Sequence, residues 1–134
     1  MKVFLISDSK TRINFFPELS DMLAEKIADA ETEIVFVPFP EDIPAKAKEA
    51  IESEDAELVF VFSAFKKIDF RTELVLSKLI DVELQTGKKI IKILQKKSFE
   101  LFSGQNENAK QELAQKWCDF IIDYMYKPEL FAPQ

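Results

Sequence analysis

ELVFVF, running from Glu57 to Phe62, is the stretch on which the fold turns. Its core, Leu58-Val59-Phe60-Val61-Phe62, is aromatic, β-branched and apolar at every position. It therefore predicts a strand buried on both faces rather than one with a wet side. A strand of that kind belongs in the middle of a parallel sheet. KVFLIS (Lys2 to Ser7), EIVFVP (Glu33 to Pro38) and KIIKIL (Lys89 to Leu94) read as further strands.

Helical spacing fills the intervals between them. Phe16, Leu19, Met22, Leu23 and Ile27 form one stripe over roughly Pro17 to Asp29, with Pro17 suited to a first turn. Asp42 reads as an N-cap, with Pro44 in the following turn and Ala45, Ala47, Ala50 and Ile51 making a small-residue helix. A third helix is expected from about Asp69 to Gln85, stopped by Gly87, and a fourth from about Ala109 to Met125. Four strands alternating with four helices predict an α/β, three-layer αβα sandwich on a four-stranded parallel sheet. The strand order expected is 2-1-3-4. No linker or internal repeat divides residues 1–134, so one domain is expected.

Composition narrows the classes of function. With 47% hydrophobic and 31% charged residues the chain is globular. Its apolar runs fall short of the ~20 residues a membrane span needs, so no membrane partner is expected. The first residues lead into a strand rather than a leader, and the lone Cys118 cannot pair internally, which predicts a cytoplasmic setting. A net charge of −6 argues against a nucleic-acid partner. The only glycines, Gly87 and Gly104, do not follow strands, so phosphate-cradling glycine loops are absent. With no histidine, acid–base chemistry falls to Asp, Glu, Lys or Tyr, and His-containing metal or nucleophile sites are excluded.

In an open parallel sheet the ligand edge lies beyond the carboxyl ends of the strands. The loops expected there carry Lys10 and Arg12, then Lys66 and Lys67, then Lys96 and Lys97, an unusual gathering for so acidic a chain. Such an edge suits an anion, or negative charge that develops during a reaction. Phe39, Phe65 and Phe99 share these loops, either covered by a ligand or subunit or folded back onto their own helices. Asp8, Glu41, Asp42 and Glu73 are the carboxylates available for proton transfer. The third helix has Leu74, Val75, Leu76, Leu79, Ile80, Val82 and Leu84, more than one buried stripe holds, which predicts a homo-oligomer.

The order of segments resembles a known family. KVFLISDSKTRINF, VPFPEDIPAKAKEAI, ELVFVFSA, TGKKIIKI and the closing YKPELF (Tyr126 to Phe131) are together similar to the archaeal type of riboflavin synthase, of the lumazine synthase superfamily. The resemblance implies a flavodoxin-like subunit, a pentamer, and sites between neighbours. It implies the dismutation of two 6,7-dimethyl-8-ribityllumazine molecules to riboflavin and a ribitylamino-pyrimidinedione. No redox cofactor is needed, and magnesium is associated with some members. Within that frame Lys66, Lys67, Arg12 and Glu73 are the expected catalytic groups. Substrate contacts are expected from Asp8, Ser9, Lys10 and Thr11 in the first loop, and from Phe39, Glu41, Asp42 and Ile43 in the second. Ser63, Ala64 and Phe65 supply the third loop, and Lys96, Lys97 and Phe99 the fourth.

The chain also departs from the family pattern. Lys10 stands where an aromatic is usual, Phe39 or Pro40 and Ser63-Ala64 replace loop glycines, and the histidine near the third helix is missing. Two alternatives therefore stand beside the first reading: a non-catalytic oligomeric homologue that binds a lumazine or flavin-like ligand or acts as a scaffold, and lumazine synthase activity. A phospho-receiver would need an acceptor Asp where Phe62-Ser63 stands, and a flavodoxin a glycine in the first loop.

Overall fold

The computed structural model describes residues 1–97 and 107–131. Within them the chain runs β1 (Lys2–Asp8), α1 (Phe16–Lys26), β2 (Glu31–Val37), α2 (Ile43–Glu54), β3 (Leu58–Phe65), α3 (Phe70–Thr86), β4 (Lys89–Lys96) and α4 (Glu107–Tyr126). Short 3-10 turns occupy Pro40–Asp42 and Pro128–Phe131. The strands form one parallel sheet in the order β2-β1-β3-β4, the order expected.

Every residue of β3 is buried, because successive side chains enter opposite layers. Phe60 and Phe62 join Val3, Leu5, Phe15, Phe16, Leu19, Trp117 and Ile121 beneath α1 and α4. Val59 and Val61 join Phe4, Ile6, Ala47, Ala50, Val75 and Leu79 beneath α2 and α3. The first layer is aromatic: Phe62 meets Phe15 edge-on at 5.3 Å between centroids, and Trp117 lies 5.7 Å from Phe60 and 6.0 Å from Phe62. The second layer is mostly aliphatic, with Phe4 and Phe65 as its aromatic members.

Several boundaries differ from the sequence expectation, each for a backbone reason. β3 and β4 run on together, pairing Ser63 with Leu94, Ala64 with Gln95 and Phe65 with Lys96. Ser63, Ala64, Phe65 and Lys96 are thus strand residues, not loop residues. β2 begins at Glu31, opposite Lys2, and stops at Val37 because Pro38 has no N–H for a ladder. α1 ends at Lys26, before Asp29, which adopts a left-handed φ of 60°. α3 begins behind Asp69, whose carboxylate accepts the Arg71 N–H at 3.0 Å, and ends at Gly87 with φ 71°.

α3 buries Val75, Leu79 and Val82 and leaves Phe70, Leu74, Leu76, Ile80 and Leu84 exposed. At its C-terminal end it seals the β4 edge. The Glu83 carboxylate accepts the Ile90 N–H at 3.0 Å and pairs with Lys92, whose ammonium also donates to the Ile90 carbonyl at 2.9 Å. Among the described residues, no helix is long and apolar enough to cross a membrane.

Phe60→Ala would empty the centre of the aromatic layer and is expected to cost about 3–5 kcal/mol, read as a lower urea midpoint at unchanged slope. Burial raises the pKa of the Cys118 thiol, and burial followed by Glu83 raises that of Tyr124. Both groups hold their protons more tightly folded than unfolded. Their contribution is complete below the ordinary thiol range and is lost as pH rises through the folded values. Unfolding free energy should therefore fall above about pH 8.5, and less steeply in Cys118→Ala.

Candidate functional site

From β1 the chain passes through α1 to β2 on one side, and from β2 it returns through α2 to β3 on the other, so the strand order reverses at β1 and a crevice opens beyond its carboxyl end. At the base lies Asp8, fully buried. Its Oδ1 accepts the Thr11 hydroxyl at 2.5 Å and the Ser63 hydroxyl at 2.6 Å, and its Oδ2 accepts the Thr11 N–H at 3.1 Å. Hydroxyl donors this close are those of charge-assisted bonds. The Thr11 hydroxyl in turn accepts the Ala64 N–H at 3.0 Å, so the loop after β1 is fastened to the end of β3. Arg12 leaves that loop at a left-handed φ of 56°.

Above this base is a cleft of about 290 Å³. Asp8 and Lys10 line it from the β1 end, Pro40 from the turn after β2, and Ala64, Phe65, Lys66 and Lys67 from the β3 end. Asp69 and Arg71 come from the start of α3, and Lys97 from the residue after β4. Lys97 bridges two loops: its N–H donates to the Phe65 carbonyl at 2.7 Å and its ammonium to the Lys10 carbonyl at 2.9 Å. The Lys10 ammonium lies 4.5 Å from the centre of the Phe39 ring. Arg71 donates through Nη2 and Nε to Glu41 Oε1, at 2.7 and 3.1 Å. That hydrogen bond, and then the charge of Glu41, raise the guanidinium pKa.

Of the residues anticipated from sequence, the cleft collects Asp8, Lys10, Ala64, Phe65, Lys66, Lys67 and Lys97, with Thr11 and Ser63 in the network beneath. Ser9, Arg12, Phe39, Glu41, Asp42, Glu73 and Lys96 do not line it and are exposed. Ile43 is a core residue at the start of α2. Asp42 precedes α2, but its side chain bonds the Phe39 N–H at 3.2 Å instead of capping the helix. Phe65 is buried, folded back as one of its two readings held, while Phe39 remains exposed. Phe99 lies outside the described residues. Arg71, Asp69 and Pro40 were not anticipated. The signal for Arg71 was its place in the first turn of a helix entered directly from Lys66-Lys67, a turn that must face the same edge.

Asp8 is engaged by Thr11 and Ser63, and among the described residues no three Cys, Asp or Glu side chains converge on a metal position. Comparison of the sequence with protein-family models and with curated proteins finds no match.

Thr11→Val removes one donor from Asp8 and the acceptor of the Ala64 N–H, both buried. A loss of about 1–3 kcal/mol is expected in urea unfolding, whereas Ser9→Ala, at an exposed position, should leave the midpoint unchanged.

Proposed function

We propose that the chain is a transferase of the riboflavin synthase type, dismutating 6,7-dimethyl-8-ribityllumazine. The observation that carries this reading is the cleft itself, where Lys10, Lys66, Lys67, Arg71 and Lys97 converge over Asp8 in a chain of net charge −6. The ordered similarity of its segments to that family supports it.

The chemistry asks for an anion-stabilising site. The C7 methyl of one lumazine loses a proton, leaving a negative charge spread over its ring system. A carbon–carbon bond then forms to the second molecule, and a four-carbon unit passes across as the donor's bonds to that unit break. Riboflavin and the pyrimidinedione account for all atoms of the two substrates, and one substrate is oxidised at the other's expense. The lysines stabilise the developing charge. The proton passes to water, because of Asp8, Glu41, Asp42 and Glu73 only Asp8 lines the cleft, and it is buried and committed to Thr11 and Ser63. Holding two substrates together is worth up to about 7–11 kcal/mol in favourable systems.

In this reading the exposed Phe70, Leu74, Ile80 and Leu84 of α3 pack against a second copy, within a pentamer in the cytoplasm. A second reading, a non-catalytic ligand-binding oligomer, is favoured by one observation. Phe65 is buried, and Phe39, though exposed, does not line the cleft and carries Lys10 against its ring, so neither is set out to stack a heterocycle there.

Incubation with 6,7-dimethyl-8-ribityllumazine, followed by absorbance, separates the two. The transferase accelerates riboflavin formation over a no-enzyme control, and a control-level rate from a folded oligomer leaves the binding protein. For the transferase, Lys66→Ala with Lys67→Ala should lower kcat/KM by about 10²-fold without changing the melting temperature. Glu73→Gln should leave it within twofold.

A further inference from the structure

We infer that two copies of the chain join edge to edge through β2, their strands antiparallel about a two-fold axis at Ile34. The inference is independent of the transferase reading and uses a surface other than the cleft and the exposed face of α3. β2 is an outer strand of the sheet, paired with β1 alone. The Glu31 N–H donates to the Met1 carbonyl and the Val37 carbonyl accepts the Ser9 N–H. Glu31, Glu33, Val35 and Val37 therefore turn their backbone groups toward β1, and by the period of two those of Thr32, Ile34 and Phe36 point away from the sheet. Among the described residues these outward groups meet no partner. The side chains of the same three residues lie on the α1 face, where Thr32 meets the Ser20 hydroxyl and Phe36 lies 5.8 Å from Phe16. Ile34 and Phe36 are 37% and 46% exposed. An open edge with apolar side chains is a template for a further strand.

The register selects a second copy as the occupant. Pairing is bounded on both sides of these three residues, because Pro38 has no N–H and the Ala30 N–H is already donated to the Ile27 carbonyl. A second β2 centred on Ile34 sets Ile34 against Ile34 and Thr32 against Phe36, so every outward N–H and C=O is matched. It sets Pro38 against Ala30, two positions with no N–H to offer. On the opposite face Glu33 meets Val35 and Glu31 meets Val37, so no carboxylate faces another. Sliding the second copy by two residues in one direction places Glu33 against Glu33, a destabilising pair of like charges. Sliding it in the other direction sets Thr32 against Pro38, whose missing N–H leaves the Thr32 carbonyl unmatched. A single self-complementary register is what an isologous two-fold contact requires. Ile34 and Phe36 of both copies then form one apolar strip on the α1 face of a continuous sheet.

The test is placed on the axis. In a hydrogen-bonded antiparallel pair the facing Cα atoms lie about 5.5 Å apart, inside the range of about 4.4–6.8 Å that a disulfide spans. Ile34→Cys should therefore give a covalent dimer in mild oxidant, read on a non-reducing gel. Phe36→Cys faces Thr32 and lies about 14 Å from its own counterpart, so it should stay uncross-linked. So should the wild type, whose lone Cys118 is buried. Sedimentation equilibrium supplies the second readout. Ile34→Pro removes one outward N–H and no bond to β1, and Ile34→Lys sets two ammonium groups against each other on the axis. Each should halve the particle mass with an unchanged far-ultraviolet dichroism spectrum, and should Ile34→Pro fail to fold, Ile34→Lys alone decides. Cross-linking of Phe36→Cys as readily as Ile34→Cys overturns the register. A mass that Ile34→Lys leaves unchanged, or no cross-link from Ile34→Cys, overturns the two-fold and leaves the edge to a strand from another protein.

Discussion

A strand with large apolar side chains on both sides can be kept from water only between two covering layers, and β3 imposes that condition on the whole chain. Burying Phe60 and Phe62 on one face and Val59 and Val61 on the other requires helices above and below. Parallel pairing then requires each connection to cross over the sheet, with helices as the connections. β1 pairs with β3 on one side, and the chain's excursion to β2 opens a crevice at the end of β1. The position of the cleft therefore follows from the strand order, not from any residue in the cleft.

The cleft is held together by polar contacts of a different character. Asp8 gathers Thr11 and Ser63, Thr11 gathers Ala64, and Lys97 spans to the Lys10 carbonyl. The loop after β1 is thus cross-linked to the end of β3 and to the residue after β4, which fixes the backbone from which the cleft lysines extend. A buried network of this kind is sensitive to the loss of any member, because each remaining partner is left without water to replace it.

Fold class, strand order and the four cleft lysines were legible because each depends on patterns local in sequence: apolar runs, helical stripes, and charges just after strands. The strand ends were less legible. Ser63 to Phe65 look like a loop in isolation, and only the partner strand, Leu94 to Lys96, makes them a ladder. Asp8 was visible as a candidate carboxylate, but its hydroxyl partners were not, since Ser63 lies far along the chain. Arg71 was hidden by its position inside a helix, where charge usually means a solvated face. The α3 surplus of leucines was legible as a surplus, and the structure leaves Leu74, Leu76, Ile80 and Leu84 facing outward.

The gathering of tryptophan and tyrosine into one of the two core layers has an optical consequence. The single tryptophan, Trp117, sits wholly in the aromatic layer, against Phe60, Phe62 and Phe120, and Tyr124 stacks on Phe120 beside it. The layer formed by α2 and α3 holds neither tryptophan nor tyrosine among its core residues. Tryptophan and tyrosine fluorescence therefore reports on one half of the molecule. A melting curve recorded that way follows α1 and α4, while loosening confined to α2 and α3 would pass in the dark.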